Sequence, residues 1–217
     1  TMEKEMEKRD DMLGWGLFFH PDLLRENKLV SNMDGYTFFS YEATEALHLS
    51  EKEKQILFDC VQKIKLELEE NIDFHSQRLM VTNIELLLNY CLRFYGRQFI
   101  TRTRHNFSVV SKVDDLLKRY FASEALKEAG LPKVSFLAEQ VHLSSGYLSD
   151  LLKKETGMHA QDYIHYHLIE QAKQILRSSD VSVSVIADML GFEYPQYFSK
   201  LFKQKTGTTP NAYRNQN

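Results

Sequence analysis

The sequence predicts a mainly α-helical chain, with two helix-turn-helix subdomains joined by a connecting helix and preceded by a helical dimerisation region and a short β remnant. Three observations carry this expectation. Apolar residues recur at helical spacing from residue 50 onward, the last 80 or so residues nearly repeat themselves, and glycine or Gly-Pro punctuation closes successive helices. The 217 residues suffice for one or two domains with cores of their own, and 43% hydrophobic with 26% charged residues is an ordinary globular composition.

Residues 1–49 read unlike the rest. Trp15-Gly16-Leu17-Phe18-Phe19 and Tyr36-Thr37-Phe38-Phe39-Ser40-Tyr41 are aromatic, β-favouring runs, separated by turn chemistry at His20-Pro21-Asp22 and Asn32-Met33-Asp34-Gly35. Two strands are too few to stand alone, so this segment reads as the end of a larger β-domain or a hairpin packed on helices. Trp15, Phe18, Phe19, Phe38 and Phe39 are expected in a core, with a ligand pocket as the alternative. Because the chain opens at Thr1, natural residues upstream are expected.

A helical linker or dimerisation region is predicted over 50–130. Ser50 and Glu53 make a capping box, and Ile56, Cys60, Ile64 and Leu68 mark one face of a helix reaching about Asn71. A second helix is predicted over about 76–95. There Met80, Ile84, Leu87, Cys91 and Phe94 form a heptad seam, read as core packing or as a homodimer interface, while Leu79, Leu86 and Tyr90 add a second apolar face. The polar stretch 97–107, with Arg97, Arg102, Arg104 and His105, reads as a connector. A third helix over about 109–129 ends at Gly130-Leu131-Pro132, the clearest predicted domain boundary.

After Pro132 the near-repeat begins, and 131–217 is predicted as one domain. Ala138 corresponds to Ala187 at an offset of 49, and Leu148, Ser149, Leu151 and Lys153 to Phe198, Ser199, Leu201 and Lys203 at an offset of 50. One residue is therefore inserted in the second turn. Each copy reads as a short helix, a tight turn and a longer helix, the first over about 135–157 and the second over about 184–207. Small Ala138 and Ala187 allow close helix crossing, and Gly191 suits a left-handed turn residue. Tyr163, Ile164, Leu168, Ala172, Ile175 and Leu176 mark a connecting helix over about 160–177. Its predicted length, roughly 27 Å, approaches the ~34 Å between successive major-groove faces on one side of a duplex.

These residues carry a resemblance. Residues 134–214 resemble the DNA-binding domain of the AraC/XylS family of bacterial transcription regulators. The match is densest at Ile186-Ala187, Leu190-Gly191-Phe192, Tyr197 through Lys203, Gly207-Thr208-Thr209-Pro210 and Tyr213-Arg214. Residues 12–130 resemble, less specifically, the end of the sensor domain (usually a cupin-like β-barrel) and the dimerisation helices of such regulators. One departure is His165-Tyr166-His167, where many members have an arginine; packing or a phosphate contact is expected there rather than a metal site.

The resemblance places base-edge contacts on the N-terminal part of each recognition helix, at Gly146, Ser149 and Asp150 in the first and Pro195, Gln196 and Lys200 in the second. Gln can bond adenine at two atoms and Lys suits guanine acceptors, whereas Asp can accept only from cytosine, so the second lobe is expected to carry more specificity. Lys153, Lys154, Lys203 and Lys205, and the helix N-termini near Ser135 and Ser184, are the expected phosphate contacts.

Composition removes other classes. No run approaches the 18 apolar residues of a membrane span, and no paired metal ligands, phosphate-binding Gly loop or catalytic triad occurs, so no cofactor, metal or catalytic residue is expected. Cys60 and Cys91 lie in apolar helical patterns and read as buried thiols. The net charge is −3, yet residues 133–217 hold nine Lys and Arg against eight Asp and Glu, so DNA binding must rest on where the cations sit. The expected partners are double-stranded DNA and a second copy of the chain, with a small-molecule effector on missing sensor residues and RNA polymerase as further candidates, in a bacterial cytoplasm at the nucleoid. A helical protein-interaction module without DNA readout is the alternative function.

Overall fold

A computed structural model describes residues 16–24, 29, 32–123 and 125–215; Trp15 lies outside them. The described residues contain ten α-helices and no strand: α1 (Glu51–Glu69), α2 (Ser76–Thr101), α3 (Thr103–Phe121), α4 (Ala125–Ala129), α5 (Val134–Gln140), α6 (Ser145–Thr156), α7 (Ala160–Ser178), α8 (Val183–Met189), α9 (Pro195–Thr206) and α10 (Pro210–Asn215).

The expected β remnant is corrected. Residues 16–20 have no regular structure, and Thr37–Ser40 is a 3-10 turn. A β-favouring run needs a partner strand to satisfy its backbone. Here the turn does so instead, Phe39 N donating to Tyr36 O at 3.2 Å and Tyr41 N to Phe38 O at 3.2 Å. Two of the aromatic side chains then pack on a helix, Phe38 stacking on Tyr95 at 5.5 Å between ring centroids and Tyr41 standing edge-on to Tyr95 at 5.1 Å, whereas Phe18 and Phe39, expected in a core, are exposed.

The chain divides into two compact units, residues 1–35 with 49–91, and residues 36–48 with 92–217. In the first unit the Ser50–Glu53 capping box starts α1, with both reciprocal bonds in place. Leu57, Cys60 and Ile64 on α1 are buried, as are Met80, Val81, Ile84, Leu87 and Leu88 on α2. The seam expected to dimerise is therefore largely inside the chain. Met80, Ile84 and Leu87, with Phe94 in the second unit, are 9% exposed or less; Cys91 is half-buried, and Leu79 and Leu86 are the exposed apolar positions. A heptad of apolar residues marks a buried face without saying whose side chains cover it.

The second unit is built on one core. Val113, Leu117, Phe121 and Leu126 join Leu137, Leu148, Leu151, Leu152, Ile164, Leu168, Ile186, Phe198 and Phe202 in a single cluster. The boundary expected at Gly130-Leu131-Pro132 ends α4 but does not end a packing unit, because α3 and α4 bury their apolar faces against the helices that follow. The connector expected over 97–107 is also corrected: α2 runs to Thr101 and α3 begins at Thr103. Arg104 and His105 lie exposed on the outer face of a helix whose inner face carries buried Asn106 and Val109, so their polarity marks a solvated face and not a loop.

The two helix-turn-helix lobes are near-copies down to their hydrogen bonds. In the first turn Leu143 N donates to Ala138 O at 2.9 Å; in the second, Phe192 N donates to Ala187 O at 2.9 Å. His142 and Gly191 take the left-handed turn position, with φ of 58° and 74°. The connecting helix α7 has 19 residues, about 28 Å at a 1.5 Å rise. It is tied to α3 through Asp114, which accepts from Tyr163 Oη at 2.5 Å and lies 3.2 Å from His167 Nε2. Arg214 closes the far end by donating to Val181 O at 2.5 Å and Leu176 O at 3.4 Å.

Candidate nucleic-acid interface

Each recognition helix is twelve residues long and enters from a tight turn. In α6, Ser144 is the N-cap, its Oγ accepting from Tyr147 N at 3.1 Å. In α9 the corresponding start is Tyr194 followed by Pro195 at the first helical position, where a missing N–H costs nothing. Leu148, Leu151 and Leu152 on α6, and Phe198 and Phe202 on α9, are fully buried and hold the opposite faces outward. Gly157 and Gly207 end the two helices.

The second lobe presents its predicted face openly. Gln196 and Lys200 are exposed one helical turn apart, with Pro195 half-buried beside them. Two further side chains complete this surface: Tyr194 and Tyr197 are 47% and 63% exposed and meet edge to face at 5.7 Å. Tyr197 was not among the base-contacting residues expected from sequence. Its place three residues before Lys200 on one helix puts it on the same face, which is the signal the sequence carries for it.

The first lobe does not present its face openly. Gly146, Ser149 and Asp150 are all half-buried. The strap of chain over Tyr36–His48 lies along them. Asp150 Oδ2 accepts from Thr37 Oγ1 at 2.5 Å and from Tyr41 Oη at 2.6 Å. Burial, then the bond to Asp150, pushes the Tyr41 phenol well above its ordinary range, so it stays a donor. Tyr41 also stands edge-on to Tyr147 at 5.1 Å. Glu45, itself buried, accepts from Ser144 N at 2.6 Å and from Ser144 Oγ at 2.6 Å. Gly146 has an ordinary helical backbone, but a Cβ there would overlap Ser40 Oγ, well inside van der Waals contact. The strap returns along α2, where Gln98 Oε1 accepts from His48 N at 2.8 Å and Arg97 donates to His48 O at 2.6 Å. Sequence reading missed Thr37, Tyr41 and Glu45, because their partners lie about a hundred residues away.

The expected phosphate contacts divide. Ser135 and Ser184 are exposed in the first turns of α5 and α8, and Lys153, Lys154 and Lys203 are exposed on the recognition helices. Lys205 is already engaged, its Nζ 2.7 Å from Asp162 Oδ1 on the connecting helix. That bond holds the Asp162 carboxyl below its ordinary value. His165 and His167 pack along α7, where burial lowers both below the ordinary imidazole value. Among the described residues no group of three or more potential ligands could hold a metal ion, and no helix is long and apolar enough to cross a membrane. Cys91 is pushed up to about 11 by burial with Cys60 beside it, the opposite of an activated nucleophile.

Comparison with known proteins locates this arrangement. Residues 137–216 match the family described as helix-turn-helix domain. The HTH-type transcriptional regulator YijO of Escherichia coli (strain K12) is 28% identical over 141 residues, 65% of this chain and 46% of that protein. The transcriptional regulatory protein YesN of Bacillus subtilis (strain 168) is 36% identical over 115 residues, 51% of this chain and 29% of that protein. The chain thus spans less than half the length of either. Among solved structures, the C-terminal domain of the two-component response regulator yesN from Fusobacterium nucleatum is 32% identical, with a TM-score of 0.41 over 47% of this chain and 93% of that one.

Proposed function

Residues 137–216 of this chain belong to the AraC-type helix-turn-helix family, and from that premise we propose that the chain is a sequence-specific transcription regulator that places two recognition helices in adjacent major-groove segments. The observation that supports this best is the paired lobe geometry, with Gln196 and Lys200 exposed on α9 one turn apart. Gln196 reads adenine, Lys200 reads guanine acceptors, and Tyr194 and Tyr197 supply apolar contact to the sugar and thymine methyl groups beside them. In the first lobe Gly146, Ser149 and Asp150 hold the corresponding positions. Lys153, Lys154, Lys203 and the first-turn amides near Ser135 and Ser184 anchor phosphates and set the register.

The near-even charge of residues 133–217 makes one copy a modest binder, so the reading includes a homodimer, checked by light scattering. An effector acting through sensor residues outside this chain, contact with RNA polymerase, a place at the bacterial nucleoid and the absence of catalysis belong to the same reading. The test is selection from random-sequence duplexes with the full chain, followed by binding at several salt concentrations. A defined motif and an affinity falling steeply with salt are expected. No preferred sequence and a flat salt response would leave a protein-interaction module instead.

A further inference from the structure

The geometry points to an autoinhibitory function for the strap Tyr36–His48: it occupies the DNA face of the first recognition helix and must leave before that lobe can read DNA. The inference rests on the DNA-reading proposal above and concerns the regulation of the same face.

Four contacts carry it. The Glu45 carboxylate takes the backbone N–H and the hydroxyl of Ser144 at the N-terminus of α6, each at 2.6 Å. That is the position in which a helix N-terminus holds a phosphate oxygen, so Glu45 stands where a DNA phosphate would stand. Thr37 and Tyr41 together satisfy Asp150, a carboxylate that would otherwise face the phosphate backbone. Ser40 fills the space that glycine at position 146 leaves open, and no left-handed backbone at that position accounts for the glycine. Tyr41 covers Tyr147 from the same side. The strap and a duplex therefore compete for Ser144, Gly146 and Asp150.

The contacts suit a reversible cover more than a permanent brace. Apart from the Tyr41 ring on Tyr147, the groups that bind α6 are hydroxyls and a carboxylate, which water can solvate on release, and Ser144 keeps its cap on Tyr147 when Glu45 departs. An open cleft of about 690 Å³, lined by Ser40, Glu42, Thr44, Ser135, Glu139 and His142, separates the strap from α5 and the turn. Both ends of the strap continue into residues of the first compact unit, so it is a covalent route by which a change there reaches α6.

The experiment uses the full chain, the variants Glu45→Ala and Thr37→Val with Tyr41→Phe, and random-sequence duplexes of about 21 bp, two helical turns. Release of the strap predicts that each variant binds its selected duplex about tenfold or more tightly than the unaltered chain, since affinity is reduced by the closed fraction. It also predicts a longer selected motif, with a second half-site added by the first lobe, and a steeper salt dependence as Lys153 and Lys154 join. In the unaltered chain, backbone hydrogen exchange over 36–48 should rise when duplex is added. Circular dichroism confirms folding; should Glu45→Ala unfold, the hydroxyl variant and the exchange measurement decide. Unchanged or weaker binding with the same motif, no exchange change, and loss of binding in Lys200→Ala would overturn the strap while leaving the DNA reading intact. No selected sequence with any protein would overturn both.

Discussion

His142 and Gly191 hold the same place in the two helix-turn-helix turns, both left-handed, with φ of 58° and 74°. The two positions differ in cost. A left-handed non-glycine residue is strained by about 1–2 kcal/mol, whereas glycine is not. The second turn adds close packing, since a Cβ on Gly191 would lie 2.5 Å from Leu126 O on α4. His142→Gly should therefore change stability by no more than about 1 kcal/mol in either direction, strain relief offsetting the flexibility added to the unfolded chain. Gly191→Ala should destabilise by about 2–4 kcal/mol. Urea unfolding of both variants checks the contrast; equal effects would refute it.

Lys200 and Lys203 sit on the same helix with different proposed roles. Lys200→Ala should weaken binding to the selected duplex by about 1–3 kcal/mol and relax preference at one base pair. Lys203→Ala should weaken selected and random duplexes alike and make the salt slope shallower by about one. Fluorescence anisotropy at fixed salt separates the two, and a sequence-dependent loss in Lys203→Ala would reverse the assignment.

Leu117 belongs to the same core as the recognition helices and is fully buried. Leu117→Ala should destabilise the second unit by about 2–5 kcal/mol, as Leu151→Ala should. If residues 131–217 were an independent domain, thermal unfolding of that unit would not respond to Leu117→Ala.

Burial lowers His165 and His167 below the ordinary value of 6.5. For His167 burial outweighs Asp114 and Glu170, which favour the charged form, while Lys118 opposes it. For His165 burial is joined by Lys205 and opposed by Asp162. The unfolded chain thus binds protons that the folded chain refuses, so this contribution is intact above pH 6.5 and is lost as pH falls through the lower folded values. Melting temperature should drop from pH 7 toward pH 5.5, and a chain with both His165→Gln and His167→Gln should lose part of that slope.

The legible part of the fold was local. The offset of 49 from Ala138 to Ala187 and of 50 from Leu148 to Phe198 placed both turns and both recognition helices, because small residues at crossings and apolar residues at helical spacing act within a dozen positions of one another. The exposed part of the site, Gln196 and Lys200, followed from facing away from those buried positions.

What the sequence by itself determined was therefore the two lobes, the connecting helix and the outward face of α9. Only the tertiary structure decided that Met80, Ile84 and Leu87 are covered within the chain, that α3 belongs to the core of the helix-turn-helix lobes, and that Tyr36–Tyr41 forms a turn against α6. Periodicity reports that a face is buried, and β propensity that a side chain suits a packed surface, but neither names the partner. Glu45 shows the physical reason most clearly. It is an acidic residue whose burial is made tolerable by three donors, one local, Glu42 N at 2.8 Å, and two from Ser144, 99 residues later, at 2.6 Å.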